Sequence, residues 1–130
     1  RIFISLRHYP DLMPAVAVAC AALGVSAYIR GIENLRLKES DRIHSVATEL
    51  SSMGASVQVL DKELRIRKSE LKPVRPVFTY GDHRIAMAFA PLKLRFPNLV
   101  IVNQDVVSKS FPDFWNQFNA VLADCGKSHL

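Results

Sequence analysis

The sequence predicts an α/β fold in which helices and strands alternate in repeated units. Helical and strand-like patterns follow one another in the order helix, strand, helix, two strands, helix, strand, helix along the 130 residues. Apolar residues make up 49% of the chain and charged residues 22%, a balance typical of a globular protein. The repetition is architectural, because no sequence motif recurs from one unit to the next.

The first half of the chain contains the clearest elements. Residues 12–23 are apolar nearly all round, which predicts a buried helix that ends at Gly24. Residues 25–30 are rich in β-branched and aromatic side chains and predict a strand. Apolar residues at helical spacing over 43–53 predict a second helix, and Ser40 is a candidate for its N-cap.

The second half repeats these patterns with variations. The predicted elements are a hairpin of strands 56–60 and 63–68, a helix that begins at Asp82, a strand at 98–103 and a helix over 111–122. Pro91 should kink or shorten the helix in which it lies. Ser110 and Asp113 have the spacing of a capping-box variant before the last helix, with Pro112 in its first turn.

Composition narrows the classes of partner. The net charge of +5 is compatible with nucleic acid and equally with a small, highly anionic substrate. The basic residues are spread along the chain and rarely accompany aromatic ones, so no nucleic-acid partner is expected. No apolar run has the length of a membrane span, and no signal peptide is visible, so no membrane partner is expected. Cys20 and Cys125 lack metal-binding spacing and are predicted to be buried free thiols. The sequence contains no motif for a metal or an organic cofactor, so none is expected.

Charged residues recur where the predicted helices begin. They are Asp11, Glu39, Arg42, His83, Arg84 and Lys109. Helix N-termini carry free N–H groups and a partial positive charge, so a cation there costs stability unless an anion shares the site. Any one of these cations alone would be read as a solvated surface residue. Their repetition favours a common anion-binding surface formed by neighbouring helix starts.

The residue types suggest different tasks within this surface. Arg42 and Arg84 can grip a carboxylate or phosphate through paired N–H donors, whereas Lys38 and Lys109 are compact point charges. The two acidic members of the set could form a proton-transfer pair among the cations, or could simply balance charge. Lys38 and Arg42 are expected to stabilise the ionised form of Glu39.

Four stretches resemble the motifs of the 5-enolpyruvylshikimate-3-phosphate (EPSP) synthase family. They are YPDLMPA (9–15), GIENLRLKESDR (31–42), TYGDHRIAMAFA (79–90) and VVSKSFPDFW (106–115). They occur in matching order over essentially the whole chain, and the LKESDR and GDHR stretches are the most specific. The related enolpyruvyl transferase of peptidoglycan synthesis lacks the LKE-x-DR pattern.

The resemblance implies catalytic roles for two carboxylates. Asp11 matches the aspartate assigned as the base toward the hydroxyl of shikimate 3-phosphate. Glu39 matches the glutamate assigned as proton donor to the methylene of phosphoenolpyruvate. His83 matches a histidine near the site, and Asp41 and Asp82 match motif positions that helix capping or ion pairing explains.

The resemblance also implies the substrate contacts. Asn34 and Lys38 match residues that contact shikimate 3-phosphate. Arg42, Arg84 and Lys109 match the cations that hold phosphoenolpyruvate. The fold implied is part of the enolpyruvyl transferase C-terminal domain, in which the helix N-termini face the active-site cleft.

The expected organisation follows from this family. Residues 1–130 would form a single partial domain, the later part of the C-terminal domain, with the N-terminal domain absent and the chain inactive by itself. The complete enzyme would be bacterial and cytoplasmic and would need no cofactor. Two alternatives remain: a non-catalytic module that binds anions or nucleic acid, which would need the cations but neither Asp11 nor Glu39, and an inert structural fragment.

Overall fold

A mixed four-stranded sheet organises the first half of the chain. The computed structural model describes residues 1–128, with side chains to Cys125. The strands are β1 (Ile2–Ser5), β2 (Ala27–Arg30), β3 (Ser56–Val59) and β4 (Glu63–Arg67), in the spatial order β1-β2-β4-β3. β1 runs parallel to β2, and the β2–β4 and β3–β4 pairs are antiparallel. The predicted 56–60/63–68 hairpin is confirmed.

Four α-helices accompany the sheet within residues 1–128. They are α1 (Met13–Leu23), α2 (Arg42–Ser52), α3 (His83–Phe89) and α4 (Phe114–Ser128). Short 3₁₀ segments precede or extend them at Pro10–Leu12, Glu33–Leu37, Ala90–Leu94 and Gln104–Val107. Within the described part of the chain, no helix is long and apolar enough to cross a membrane.

The core lies between one face of the sheet and the first three helices. Along β2, Ala27 and Ile29 are buried, whereas the alternate residues Tyr28 and Arg30 point away from the core, as the two-residue period of a strand requires. α1 packs against both α2 and α3. The largest fully buried side chains include Met13, Ile29, Leu50, Leu64, Ile85 and Phe89. Burial of each such side chain stabilises the fold by about 1.5–3 kcal/mol.

Several predicted boundaries are confirmed. α1 ends at Gly24, whose φ of 68° lies in the left-handed region that glycine adopts without steric cost. α3 ends at Phe89 and continues only as a 3₁₀ segment that contains Pro91, as expected for a proline that cannot donate a backbone hydrogen bond. Cys20 is a buried free thiol as predicted, and burial raises its pKa, but Cys125 is half-buried.

Other predictions were wrong. The strand expected at 98–103 is reduced to one parallel bridge between Val77 and Ile101, and β1 was not predicted at all. Asp41, not Ser40, caps α2: its carboxylate accepts from the His44 N–H at 3.1 Å. The capping box before α4 is also wrong. That helix begins only at Phe114, and the two residues predicted to form the box make other hydrogen bonds: the Ser110 hydroxyl donates to the Val107 carbonyl, and Asp113 accepts from Asn116 and Gln117.

Gly31 lies between β2 and α2, where the chain passes close to the backbone of Arg7. A methyl carbon added there would lie 2.4 Å from the Arg7 backbone nitrogen, at a φ of 80°. At Gly24, where φ is 68°, the nearest atoms are 3.9 Å away on the flexible Lys68 side chain. We expect Gly24→Ala to cost about 1–2 kcal/mol from backbone strain alone. Gly31→Ala should cost about 1–3 kcal/mol more because the backbone must also move apart. Equal losses for the two variants in urea unfolding would contradict the steric argument.

Candidate active site

The first residues of α2 and α3 meet through a buried ion pair. Arg42 Nε donates to Asp82 Oδ2 at 2.8 Å, and Arg42 Nη2 donates to Asp82 Oδ1 at 3.2 Å. The Arg42 side chain is 4% exposed and the Asp82 side chain is not exposed. The paired geometry fixes the plane of the guanidinium as well as its position. Its remaining Nη1 group donates to Asp11 Oδ1 at 2.9 Å, so Arg42 also binds the segment that leads into α1.

Asp82 is the most heavily bonded carboxylate in this group. Besides Arg42, it accepts from the Ser40 hydroxyl at 2.9 Å and from the Arg84 N–H at 3.0 Å, which makes it the N-cap of α3. Burial alone would raise the pKa of this carboxyl, but these hydrogen bonds, with that from Arg42 the strongest, lower it by more. The net pKa of Asp82 therefore lies below its usual value, and the group is ionised at neutral pH.

A second pair lies beside the first. Glu39 Oε2 and His83 Nδ1 are 3.0 Å apart, and the same His83 nitrogen is 4.0 Å from Asp82 Oδ1. Both side chains border an open cavity of about 710 Å³, and a second wall of this cavity comes from Asp105, Val106, Ser108, Lys109 and Ser110. This volume lies within the roughly 300–1,000 Å³ typical of small-ligand sites, and a carboxylate, an imidazole and an ammonium border it together.

The residues of this site lie in a part of the chain that matches a known protein family. A family model described as EPSP synthase (3-phosphoshikimate 1-carboxyvinyltransferase) matches residues 2–118. The chain belongs to the EPSP synthase family. The match includes all four stretches on which the resemblance was based, and it contains every residue of the two pairs and of the cavity wall.

Individual EPSP synthase relatives give the same result. Proteins named 3-phosphoshikimate 1-carboxyvinyltransferase from Syntrophobacter fumaroxidans and Clostridium novyi are each 40% identical, over 88% and 92% of this chain. A 2.37 Å structure of EPSP synthase from Acinetobacter baumannii superposes with a TM-score of 0.69 at 30% identity over 85% of the chain. The chain spans only 27–28% of the length of these proteins. The superposition confirms the predicted α/β fold class of an enolpyruvyl transferase domain.

The structure brings five of the eight predicted site residues together. Asp11 joins Arg42 in the buried group, and Glu39, His83 and Lys109 border the cavity next to it. The two groups are contiguous because Asp82 and His83 are adjacent residues and lie at the start of the same helix.

Among the described residues, the side chains of the other three predicted residues form no hydrogen bond or ion pair with this group. Asn34 and Lys38 are exposed on and just after the 3₁₀ segment Glu33–Leu37. Arg84 contributes its backbone N–H to Asp82, and within residues 1–128 its guanidinium has no hydrogen bond or ion pair. These three assignments stay predictions.

Arg42 differs from the prediction in one respect. It was expected to stabilise Glu39, but its three side-chain nitrogens donate to Asp11 and Asp82, and the partner of Glu39 is His83. The N–H donors of a guanidinium lie in one plane, and the buried Asp82 carboxylate accepts from Nε and Nη2 along one edge of it. The cation at the start of α2 is thus compensated by the capping carboxylate of α3.

Three ligand-type groups in this region lie close enough to hold a metal ion. Ligand atoms of Glu39, Asp82 and His83 all lie within 4.8 Å of one another. Asp82, however, already accepts hydrogen bonds on both oxygens, two of them from the Arg42 cation. A metal would have to displace that guanidinium or bind beside its charge, so the donor set does not fit a cation.

Part of the cavity wall was not predicted from the sequence. Asp105, Val106, Ser108 and Ser110 surround Lys109 along the second side of the cavity. Only the lysine stood out, because a charged residue before a predicted helix is a visible signal. The 3₁₀ turn Gln104–Val107, which bends this segment toward His83, has no comparable pattern in the sequence.

The buried pair predicts a specific loss of stability. Asn caps a helix about as well as Asp, so Asp82→Asn should keep the cap of α3 but remove the charge that compensates Arg42. We expect this variant to lose about 3 kcal/mol of unfolding free energy at pH 7. Asp41→Asn is the matched control, because Asp41 caps α2 at the surface and forms no ion pair with any residue that the structure describes. Its variant should lose under about 0.5 kcal/mol.

The same comparison has a predictable pH dependence. The pKa of Asp82 is lower in the folded chain than in the unfolded one, so its contribution is complete above the ordinary aspartate pKa of about 3.9. That contribution is lost as the pH falls through the lower folded value. The difference between wild type and Asp82→Asn in urea unfolding should therefore shrink below about pH 4. A difference that stays constant down to pH 2 would contradict the assignment.

Proposed function

We propose that this chain supplies one side of the active site of a 3-phosphoshikimate 1-carboxyvinyltransferase. The complete enzyme would transfer the carboxyvinyl group of phosphoenolpyruvate to the 5-hydroxyl of shikimate 3-phosphate and release phosphate. One observation carries the proposal: in a chain of the EPSP synthase family, two accessible carboxylates and a lysine from three separate motifs lie around one group of helix starts.

Asp11 is suited to act as the base toward the substrate hydroxyl. Its side chain is 42% exposed, whereas Asp82, the other partner of Arg42, is inaccessible. One Asp11 oxygen is held by Arg42, which orients the carboxylate and leaves the second oxygen available to accept a proton. Of the two carboxylates on this guanidinium, Asp11 is therefore the one that can contact a substrate.

Glu39 is suited to act as the acid toward phosphoenolpyruvate. Its side chain is 49% exposed at the cavity, and His83 holds one of its oxygens at 3.0 Å. Transfer of its proton to the methylene carbon, together with attack of the hydroxyl oxygen on the neighbouring carbon, gives a tetrahedral intermediate. Return of a methyl proton to Glu39 and departure of phosphate, which carries away the hydroxyl proton first taken by Asp11, then form the enol ether and restore both carboxyl groups.

The cations would offset the charge of two anionic substrates. Lys109 borders the same cavity as Glu39 and can contact a phosphate oxygen as a point charge. Arg42 and Arg84 would share phosphoenolpyruvate with it, and Asn34 and Lys38 would contact shikimate 3-phosphate, as the family motifs suggest. Such fixed charges hold the reacting atoms together and stabilise charge that develops in the transition state.

The proposal extends to the organisation of the whole protein. Residues 1–130 would form the later part of a C-terminal domain, and the remaining contacts to both substrates would come from an N-terminal domain. The chain's coverage of little more than a quarter of its relatives supports this division. A bacterial, cytoplasmic enzyme without a cofactor is consistent with the bacterial origin of those relatives. A purely anion-binding module has no use for Asp11 and Glu39, which disfavours that alternative.

Two variants separate the proposed acid from the proposed anion contact. In the complete protein, Glu39→Gln should lower kcat by about 10²–10⁴-fold because the amide cannot donate the required proton. Its KM for phosphoenolpyruvate should stay within about threefold of wild type. Lys109→Ala should instead weaken phosphoenolpyruvate binding by about tenfold or more, since it removes a charged hydrogen bond.

The control for these variants is Lys62→Ala. Lys62 is an exposed cation in the β3–β4 turn, outside the candidate site. Its variant should bind and turn over phosphoenolpyruvate as wild type does. The assay is release of phosphate that depends on shikimate 3-phosphate. Near-normal turnover by Glu39→Gln would show that the acid lies elsewhere.

The chain by itself should be inactive as a synthase. It supplies only one group of charges, and two multiply charged substrates need compensating contacts on their other sides. We expect no phosphate release above background when purified chain is incubated with both substrates. Steady release that depends on shikimate 3-phosphate would refute the two-domain proposal.

A further inference from the structure

We propose that Glu49 is a positioning residue for the candidate active site and that it acts through Tyr80. The inference rests on the proposed function, since it concerns the placement of the same His83–Glu39 pair. Glu49 lies in α2, seven residues after Arg42, and is fully buried. It does not border the cavity that contains the proposed acid.

The Glu49 carboxylate is saturated by partners from one segment. Oε1 accepts from Arg75 Nη1 and from the Phe78 backbone N–H, both at 2.9 Å. Oε2 accepts from Arg75 Nη2 at 2.9 Å and from the Tyr80 hydroxyl at 2.6 Å. Since an ionised carboxylate is costly to bury, all four donors are needed to compensate it. The result is a single side chain of α2 that binds residues 75–80 at three points.

This segment leads directly into the candidate site. Tyr80 has a φ of 56° and is followed by Gly81 at 67°, so the chain passes through two consecutive left-handed residues before Asp82. A tyrosine disfavours this conformation, unlike glycine, because its Cβ meets the backbone carbonyl. The bond from the phenol to Glu49 holds the residue there. Tyr80 is thus the last residue that Glu49 holds before the Asp82 carboxylate and the His83 ring.

The phenol is a stable donor in this arrangement. Partial burial, with an additional contribution from the Glu49 carboxylate, raises the pKa of Tyr80 to about 12. The hydroxyl therefore keeps its proton throughout the neutral range, and the bond to Glu49 is present at any pH where an enzyme of this class would work.

The segment 75–80 also anchors the second wall of the cavity, which follows residue 102 in the chain. The Val77 N–H donates to the Val100 carbonyl at 2.9 Å, and the Val102 N–H donates back to the Val77 carbonyl at 2.8 Å. The Thr79 hydroxyl donates to the Val102 carbonyl at 2.9 Å. Residue 102 is followed by the 3₁₀ turn Gln104–Val107 and then by Lys109. Glu49 therefore sets the position of both cavity walls relative to the start of its own helix.

Tyr80→Phe tests this role with the smallest change. It removes the hydroxyl but keeps the ring, and Glu49 retains Arg75 and the Phe78 N–H. In the complete protein we expect kcat to fall by about tenfold, because misplacement of a catalytic group by about 1 Å can cost ~100-fold. The KM for phosphoenolpyruvate should change by less than about threefold, since Lys109 remains. Glu49→Gln should change kcat in the same direction and by more.

The ring ¹⁵N signals of the histidines give a readout that does not depend on activity. In Tyr80→Phe, the His83 signals should move at constant pH, whereas those of His44 should not. His44 is exposed in α2, and its hydrogen bonds are to Asp41 and Thr48 rather than to the segment 75–82. Tyr28→Phe is the matched control, because Tyr28 packs against Phe3 and Arg65 on the sheet face away from the site. It should change neither kcat nor the His83 signals.

The outcomes separate this inference from the proposed function. A shift of the His83 signals together with reduced kcat supports the positioning role. Unchanged His83 signals in Tyr80→Phe overturn it, and so does unchanged kcat when the signals move. A lower Tm alone, with normal kcat well below the unfolding temperature, also overturns it. Absence of synthase activity in the complete wild-type protein refutes the proposed function, and the His83 signals then decide the positional claim by themselves.

Discussion

The ion pair between Arg42 and Asp82 is the constraint on which the candidate site depends. Each partner lies at a helix start: Arg42 is the first residue of α2, and Asp82 caps α3. A lone cation at a helix N-terminus is unfavourable, and a lone buried carboxylate is more so. Bonded through two N–H groups, they compensate each other and bring the two helix ends together. Ser40 and Asp11 then bond to the two members of this pair.

The surroundings of the carboxylates separate those that hold the fold from those available to substrate. Asp82 and Glu49 are fully buried, and every oxygen of each already accepts a hydrogen bond. Asp11 and Glu39 are roughly half exposed, and each is held by one partner through a single oxygen. Proton transfer needs a carboxyl oxygen that can meet the reacting group, so only the second pair can take part. Residue type alone cannot make this distinction, because all four are ordinary acidic residues.

The sequence predicts what local pattern determines and fails where distant contacts decide. α1, α2 and the β3–β4 hairpin were predicted correctly, because local patterns mark them: an apolar run that ends at Gly24, helical spacing over 43–53, and two alternating stretches on either side of residues 61–62. The four-residue strand β1 was missed because its order comes from parallel pairing with β2. Residues 98–103 have a strand-like pattern, but in the part of the chain that the structure describes their one β-bridge is to Val77. The motifs predict Asp11, Glu39 and Arg42 as site residues, yet no local signal indicates that Arg42 bonds to a carboxylate 40 residues away.

The buried state of Arg42 changes how an anion can use it. Its Nε and Nη2 groups are committed to Asp82, which has no access to solvent, whereas Nη1 bonds to the half-exposed Asp11. Under the proposed function, phosphoenolpyruvate would therefore reach Arg42 at Nη1, beside Asp11. That shared contact has a chemical consequence. A carboxylate that shares its cation with a new anion is less stabilised in its ionised form and becomes a stronger proton acceptor. The helix start that binds the anion would thereby activate the base beside it.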